Sequence, residues 1–202
     1  MAHILLAFEV GTYTATLYIH HPNEPTPSTE QVRVLTEDFK TLPPLHHGEE
    51  MADEVYQSIK GLAELCEAVR YGMVCVERSS LSAARLYQKI RKKEFSPDVA
   101  KAAVRRVIAY GYLREEEQIR HITLTYIQKE WGPLKIAHKL LEAGYHQQTI
   151  DRVWQEMTEK GELDFDRKAK EIAKRLASQN ADQKTVLLTL HKMGFMPQDT
   201  DL

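Results

Sequence analysis

Leu86-Tyr-Gln-Lys-Ile-Arg-Lys-Lys-Glu-Phe95 decides the fold, because the chain returns to it twice. It comes back as Ile136-Ala-His-Lys-Leu-Leu-Glu-Ala-Gly-Tyr145 and as Val186-Leu-Leu-Thr-Leu-His-Lys-Met-Gly-Phe195. The closing aromatic stands at 95, 145 and 195, a shift of fifty each time. The apolar positions 86/136/186 and 90/140/190 keep the same shift, and residues four apart share one helix face. A fixed period of this length is the signature of a repeat architecture.

The period extends outward from these stretches. Val104/Trp154, Gly111/Gly161 and Leu113/Leu163 are further pairs fifty apart. Ile119, Ile122, Tyr126 and Ile127 sit at i, i+3, i+7 and i+8, a single helix stripe. Ala169, Ile172 and Leu176 are its counterparts one repeat later, and Met73 and Val76 one repeat earlier. Each repeat therefore predicts three helices: a first over 62–76, 115–130 and 164–178, a second over 81–93, 133–143 and 182–193, a third over 97–110 and 147–160. In the last repeat the third helix is expected to be cut short at Leu202. Gly144 and Gly194 suit left-handed helix ends. Pro97 and Pro133 suit first turns, where the missing N–H costs nothing. None of these helices can bury its apolar stripe alone, whereas stacked neighbours form a continuous core.

Upstream the pattern changes. Residues 3–10 and 12–20 are rich in β-branched and aromatic residues around Gly11, and Tyr13, Ala15, Leu17 and Ile19 alternate with Thr14, Thr16 and Tyr18, which predicts a β-hairpin. A linker with Pro22, Pro25 and Pro27 follows. Gln31–Leu35 reads as a third short strand, Thr36 as the N-cap of a helical turn over 37–41, and Pro43-Pro44 as its stop. From Glu49 onward the reading is helical. The expected fold is mainly α: tandem three-helix repeats forming a curved array, with a small N-terminal β-containing extension. Its parts are 1–60 (extension), 61–113 (repeat one), 114–163 (repeat two) and 164–202 (a truncated repeat three).

Composition narrows the function classes. A hydrophobic content of 43% supports a real core. No uncharged apolar run reaches the roughly 18 residues of a membrane helix, and the start lacks the features of a signal peptide. Cys66 and Cys75 lie nine apart on one expected helix, roughly 13 Å along its axis, too far for a disulfide. Reduced thiols predict a cytoplasmic protein. His20-His21 and His46-His47 read as solvated loop pairs. No metal-ligand spacing, phosphate loop or nucleophile elbow occurs. Asp164-Phe-Asp166 reads as a helix start, and Ser79, Ser80 and Ser82 as capping candidates. The expectation is a protein without metal, cofactor or catalysis.

Charge supplies the candidate site. The net charge is −2, yet residues 78–113 carry nine basic side chains against Glu94 and Asp98. Arg85, Lys89 and Lys92 are spaced i, i+4, i+7, on the face opposite Leu86 and Ile90. Fifty residues on, the first two become Lys135 and Lys139; in repeat three they become Thr185 and Thr189. Arg91, Lys93, Arg105 and Arg106 widen the patch in repeat one. A basic face kept in register over two repeats suits phosphate contact or an acidic groove. No aromatic residues are interleaved with it, so base stacking is not expected.

These repeats resemble the RecX family of bacterial regulatory proteins. The likeness rests on Leu86-x3-Ile90-x4-Phe95 and Val104-x6-Gly111-Tyr112-Leu113. It continues through Trp131-Gly132-Pro133-x2-Ile136-x3-Leu140-x3-Gly144-Tyr145-x4-Ile150 and Lys192-Met193-Gly194-Phe195, covering roughly residues 62–202. The part from Leu17-Tyr18-Ile19 to Leu42-Pro43-Pro44-Leu45 and Gly48 is similar to the strand-rich extension of some members. The resemblance implies a protein that binds RecA protein and its nucleoprotein filament and damps recombination and the SOS response; a monomeric state and direct DNA phosphate contact are further expectations. The chain departs from the family at Glu94, where a glycine is usual. A left-handed glutamate costs about 1 kcal/mol, so this helix is expected to end differently. Arg114 likewise precedes Glu115 where acidic residues are usual, and Lys129-Glu130-Trp131 replaces an arginine-rich run. Two rival readings are a helix-turn-helix or winged-helix DNA-binding domain over 80–113 and a generic helical adaptor. The first requires a two-stranded wing after Leu113.

Overall fold

The computed structural model describes residues 3–22, 26 and 28–196. They divide into two compact units: a sheet unit of the described residues up to 78 and of 87–112, and a helical unit of 79–86 and 113–196.

The sheet unit begins with β1 (His3–Val10), β2 (Thr14–His21) and β3 (Ser28–Leu35), then a helical turn α1 (Thr36–Phe39) and the two-residue β4 (Glu50–Met51). The sheet order is β3-β2-β1-β4, with antiparallel neighbours. Alternation along β2 buries Ala15, Leu17 and Ile19 and leaves their neighbours half-buried, the expected result of a period of two. Leu5, Val32, Val34 and Met51 join them under Ile59 of α2 (Asp53–Arg78). Cys66 and Cys75 are both buried on α2 and form no disulfide.

Several expectations change here. β3 starts at Ser28, earlier than the expected Gln31. Thr36 is the first residue of its turn and not the cap: Leu35 holds that place. The Thr36 hydroxyl donates instead to the Gly11 carbonyl at 2.8 Å, and its N–H to Tyr13 at 3.0 Å, which closes the hairpin. β4 is an added strand. α2 starts nine residues before the expected position. His21 is no solvated loop residue: it ends β2 with its ring buried. Pro25 and Pro27, and the expected truncation at Leu202, lie outside the described residues.

Beyond α2 come α3 (Ala83–Arg91), whose first residues belong to the helical unit, and α4 (Pro97–Ala109). The helical unit continues with α5 (Glu115–Gln128), α6 (Pro133–Glu142), α7 (Gln147–Glu159), α8 (Phe165–Ser178) and α9 (Gln183–Met193). Starts at 83, 133 and 183, at 97 and 147, and at 115 and 165 are fifty apart. Left-handed residues follow the same interval: Glu94, Gly144 and Gly194; Gly111 and Gly161; Glu130 and Asn180. Glu94 therefore takes the conformation that was expected to exclude it, at φ 66°. Ser96 and Asp164 cap α4 and α8 by accepting from Val99 N–H at 3.2 Å and Arg167 N–H at 2.8 Å.

Two apolar clusters hold the helical unit. Ile119, Ile136, Leu140, Tyr145, Ile150, Val153, Met157 and Leu163 join α5, α6 and α7. Ala169, Ile172, Ala173, Val186, Leu190 and Phe195 join α8 and α9. The start of α6 meets the end of α9: Gly132 N–H donates to the Met193 carbonyl at 2.7 Å, and Leu134 N–H to Gly194 at 3.1 Å. Unpaired donors of one helix start thus satisfy unpaired acceptors of another helix end. A Cβ on Gly132 would lie 2.4 Å from the Gly194 backbone, so only glycine permits this approach.

Candidate functional site

The basic residues are built on α3, α4 and α6 and divide between the two units. In the helical unit, Ser82 starts α3: its hydroxyl accepts from Arg85 N–H at 3.3 Å and donates to the Ala143 carbonyl at 2.8 Å. Arg85 is exposed, and its Nη2 donates to the Glu142 carbonyl at 2.8 Å. A cation at the last turn of α6 is favourable because the carbonyls there are otherwise unpaired. Lys139 Nζ stands 3.5 Å from the Glu142 carboxylate. Arg85 and Lys139 are therefore gathered around one residue, Glu142. Lys135 Nζ lies 4.3 Å from the centre of the Trp131 ring. Trp131 stacks on Tyr126 at 4.3 Å, and Lys129 stands over Tyr126 at 5.3 Å.

This aromatic pair corrects the expectation that no aromatic residue accompanies the basic face. Tyr126 and Trp131 are brought together by the left-handed turn at Glu130, whose side chain is held by Arg175 at 2.7 Å. The Arg175 hydrogen bond keeps the Glu130 carboxyl below the usual range, against a smaller opposing effect of burial. Lys129 was missed by the fifty-residue register because it lies outside α6. The adjacent Lys129-Glu130-Trp131 run was its signal.

In the sheet unit, Lys89, Lys92 and Arg105 are exposed. Arg91 donates to the Phe95 carbonyl and so holds the turn after α3. Lys93 stands 5.6 Å from the Tyr71 ring centre. Arg106 pairs with Glu37 and with Asp38, the latter at 2.6 Å, and Tyr110 donates to Glu37 at 2.5 Å. Asp38 is buried, which pushes its carboxyl up, and its Oδ2 has no hydrogen-bond partner among the described residues. Arg106 is thus engaged within its own unit, whereas Lys89 and Lys92 have no ion-pair partner among the described residues.

Around the lysines of α6 lie Leu134, half exposed at 50%, and Leu141 at 43%. On α9 the equivalent face differs: it carries Thr185 and Thr189, and the Thr189 hydroxyl donates to the Thr185 carbonyl at 2.7 Å. Burial, with a contribution from Glu115, pushes the Tyr145 phenol up to about 12, and that hydroxyl donates to Gln118 at 2.7 Å. Among the described residues no group of three or more His, Cys, Asp or Glu could hold a metal, and no helix is long and apolar enough to cross a membrane.

No family model matches the chain. A regulatory protein RecX from Caldanaerobacter subterraneus subsp. tengcongensis is 24% identical over 109 residues, which are 54% of this chain and 55% of that protein. The match therefore spans about half the length of each. The crystal structure of a regulatory protein RecX shares the fold with a TM-score of 0.67 at 13% identity, over 98% of this chain and 97% of that one. RecX from Lactobacillus salivarius does so with a TM-score of 0.56 at 13% identity, over 67% of this chain and 91% of that one. Sequence and fold thus point to one family, RecX, and bear out the resemblance that the repeats carry.

Proposed function

We propose that the chain is a regulatory protein that binds RecA or the RecA–DNA filament and inhibits or modulates recombinase and SOS activity. The observation that carries this reading is the RecX sequence match, joined to a RecX-like fold over 98% of the chain. In this reading the protein is a cytoplasmic monomer without catalytic activity. Residues 61–113, 114–163 and 164–202 act as stacked three-helix repeats in a curved array, with 1–60 as an extension. The partner surface is the basic face of α3 and α6: Arg85, Lys89, Lys92, Lys135 and Lys139, with Arg91, Lys93, Arg105 and Arg106 beside it. Cations that neutralise phosphates give sequence-independent, salt-sensitive affinity, so direct contact with DNA phosphates belongs to the same proposal.

The wing expected of a winged-helix protein is not favoured, since Glu115–Gln128 is the helix α5. The test is RecA-dependent ATP hydrolysis on single-stranded DNA. Substoichiometric protein slows it in this reading; no effect at equimolar protein contradicts it.

A further inference from the structure

The sheet unit buries two imidazoles that the proposed function leaves unused. His3 on β1 and His21 at the end of β2 are 6% and 5% exposed. Their Nδ1 atoms are 3.0 Å apart, while the ring centres are 5.1 Å apart with planes at 84°. The two nitrogens therefore lie between the rings, facing each other.

The second nitrogen of each ring meets a carboxylate. His3 Nε2 is 3.0 Å from Asp53 Oδ1, and His21 Nε2 is 3.5 Å from Glu30 Oε2. An ionised carboxylate only accepts, so both Nε2 atoms carry protons. Burial pushes the Glu30 carboxyl up, but hydrogen bonds from Lys60 at 2.5 Å and Tyr56 at 3.0 Å, the Lys60 charge and His21 together hold it below its usual range. The groups around the pair come from every neighbouring element. β3 supplies Glu30; α2 supplies Asp53, Tyr56 and Lys60; β4 sets Met51 opposite His3 and Glu50 opposite Ile4. The Tyr56 ring stacks on His3 at 3.7 Å and meets His21 edge-on at 5.5 Å.

With both Nε2 atoms protonated, two neutral rings would set Nδ1 lone pairs against each other. Two fully charged rings would set two N–H groups against each other. A single proton between them makes one N–H···N bond and satisfies both. We infer that His3 and His21 share one proton, and that this proton latches the sheet onto the start of α2. The pair then carries one positive charge between the Asp53 and Glu30 carboxylates, under an aromatic face that favours a cation. The latch exists in one protonation state and is lost on both sides of it. Two imidazoles alone are half of the roughly four ligands of a structural zinc site.

The test uses the full chain and two readouts. Nitrogen NMR of the imidazoles is expected to show a scalar coupling between the two Nδ1 atoms near neutral pH, lost on acidification and on alkalinisation. Hydrogen-exchange protection of β1 and β2 amides, corrected for intrinsic exchange, is expected to peak in the same window. It falls by about tenfold on either side, the scale of one charge-assisted bond, while α8 amides stay level. His21→Asn keeps a hydrogen-bonding group toward His3 that does not titrate here, and it flattens the peak. A level wild-type profile overturns the inference, as does an unchanged peak in His21→Asn. Loss of the protection on adding a chelator also overturns it, because the pair would then hold a metal ion.

Discussion

Helices α3 and α6 share a buried skeleton with α9 but not its surface. Leu86, Ile136 and Val186 are nearly or fully buried, as are Ile90, Leu140 and Leu190. One position before each of these, Arg85, Lys135 and Thr185 differ, and so do Lys89, Lys139 and Thr189. The inner positions are constrained because a lost methylene leaves a cavity. The outer ones are free to vary, and in α9 threonine completes a helix of the same length class without any charge. The basic register of α3 and α6 is therefore not a requirement of folding. That is the physical reason to seek a partner there and not on α9.

The comparison can be broken most forcefully from inside. Leu140→Ala in α6 is expected to cost about 2–5 kcal/mol in urea unfolding. Leu190→Ala in α9, packed in a smaller cluster, should fall at the lower end of that range. If the second substitution proves neutral, α9 does not share the skeleton.

A smaller effect is expected at Arg106, which tests whether a basic residue of the patch serves the fold. Arg106→Ala leaves the buried Asp38 without its cation and should cost about 2 kcal/mol near neutral pH. Burial raises the Asp38 carboxyl in the folded state. Between its ordinary value and that raised value, folding takes up a proton, so this group's contribution falls as pH rises through the window. The penalty of Arg106→Ala should accordingly shrink toward acid pH, measured as unfolding free energy across a pH series. A penalty that grows toward acid pH would contradict the burial of Asp38.

Glu94 sharpens the comparison between helix ends. It holds a left-handed φ where Gly144 and Gly194 stand in the other two copies. Glu94→Gly should stabilise the chain by about 1 kcal/mol in the same unfolding assay. Least of all should come from the basic face itself. Lys89→Glu with Lys92→Glu, both exposed, should change stability by no more than about 0.5 kcal/mol, with the circular dichroism spectrum unaltered.

The helices were legible because their apolar period is local: Leu86 with Ile90, Ile119 with Ile122, and Ala169 with Ile172 lie within about one turn of each other. The left-handed Gly144 and Gly194 and the start of α8 at Asp164 were legible for the same reason, whereas the cap read at Thr36 was not the one formed. What escaped depends on residues far apart in the chain. Asp38 and Arg106 are 68 apart, and neither carries a sign of the other. His21 looked like half of a loop pair because its partner, His3, lies on another strand. β4 is two residues long, too short to show a period. The candidate site was legible as a charge pattern, but the Tyr126–Trp131 stack beneath Lys135 required the turn at Glu130. The separate engagement of Arg91 and Arg106 likewise came only with the fold.

The most direct test sets the two surfaces against each other in one assay of RecA-dependent ATP hydrolysis on single-stranded DNA. Arg85→Glu with Lys89→Glu is compared with Thr185→Glu with Thr189→Glu. The first pair is expected to weaken the inhibition and the second to leave it near wild type. Equal effects of the two pairs, or no loss in the first, would contradict the assignment of the partner surface to α3 and α6.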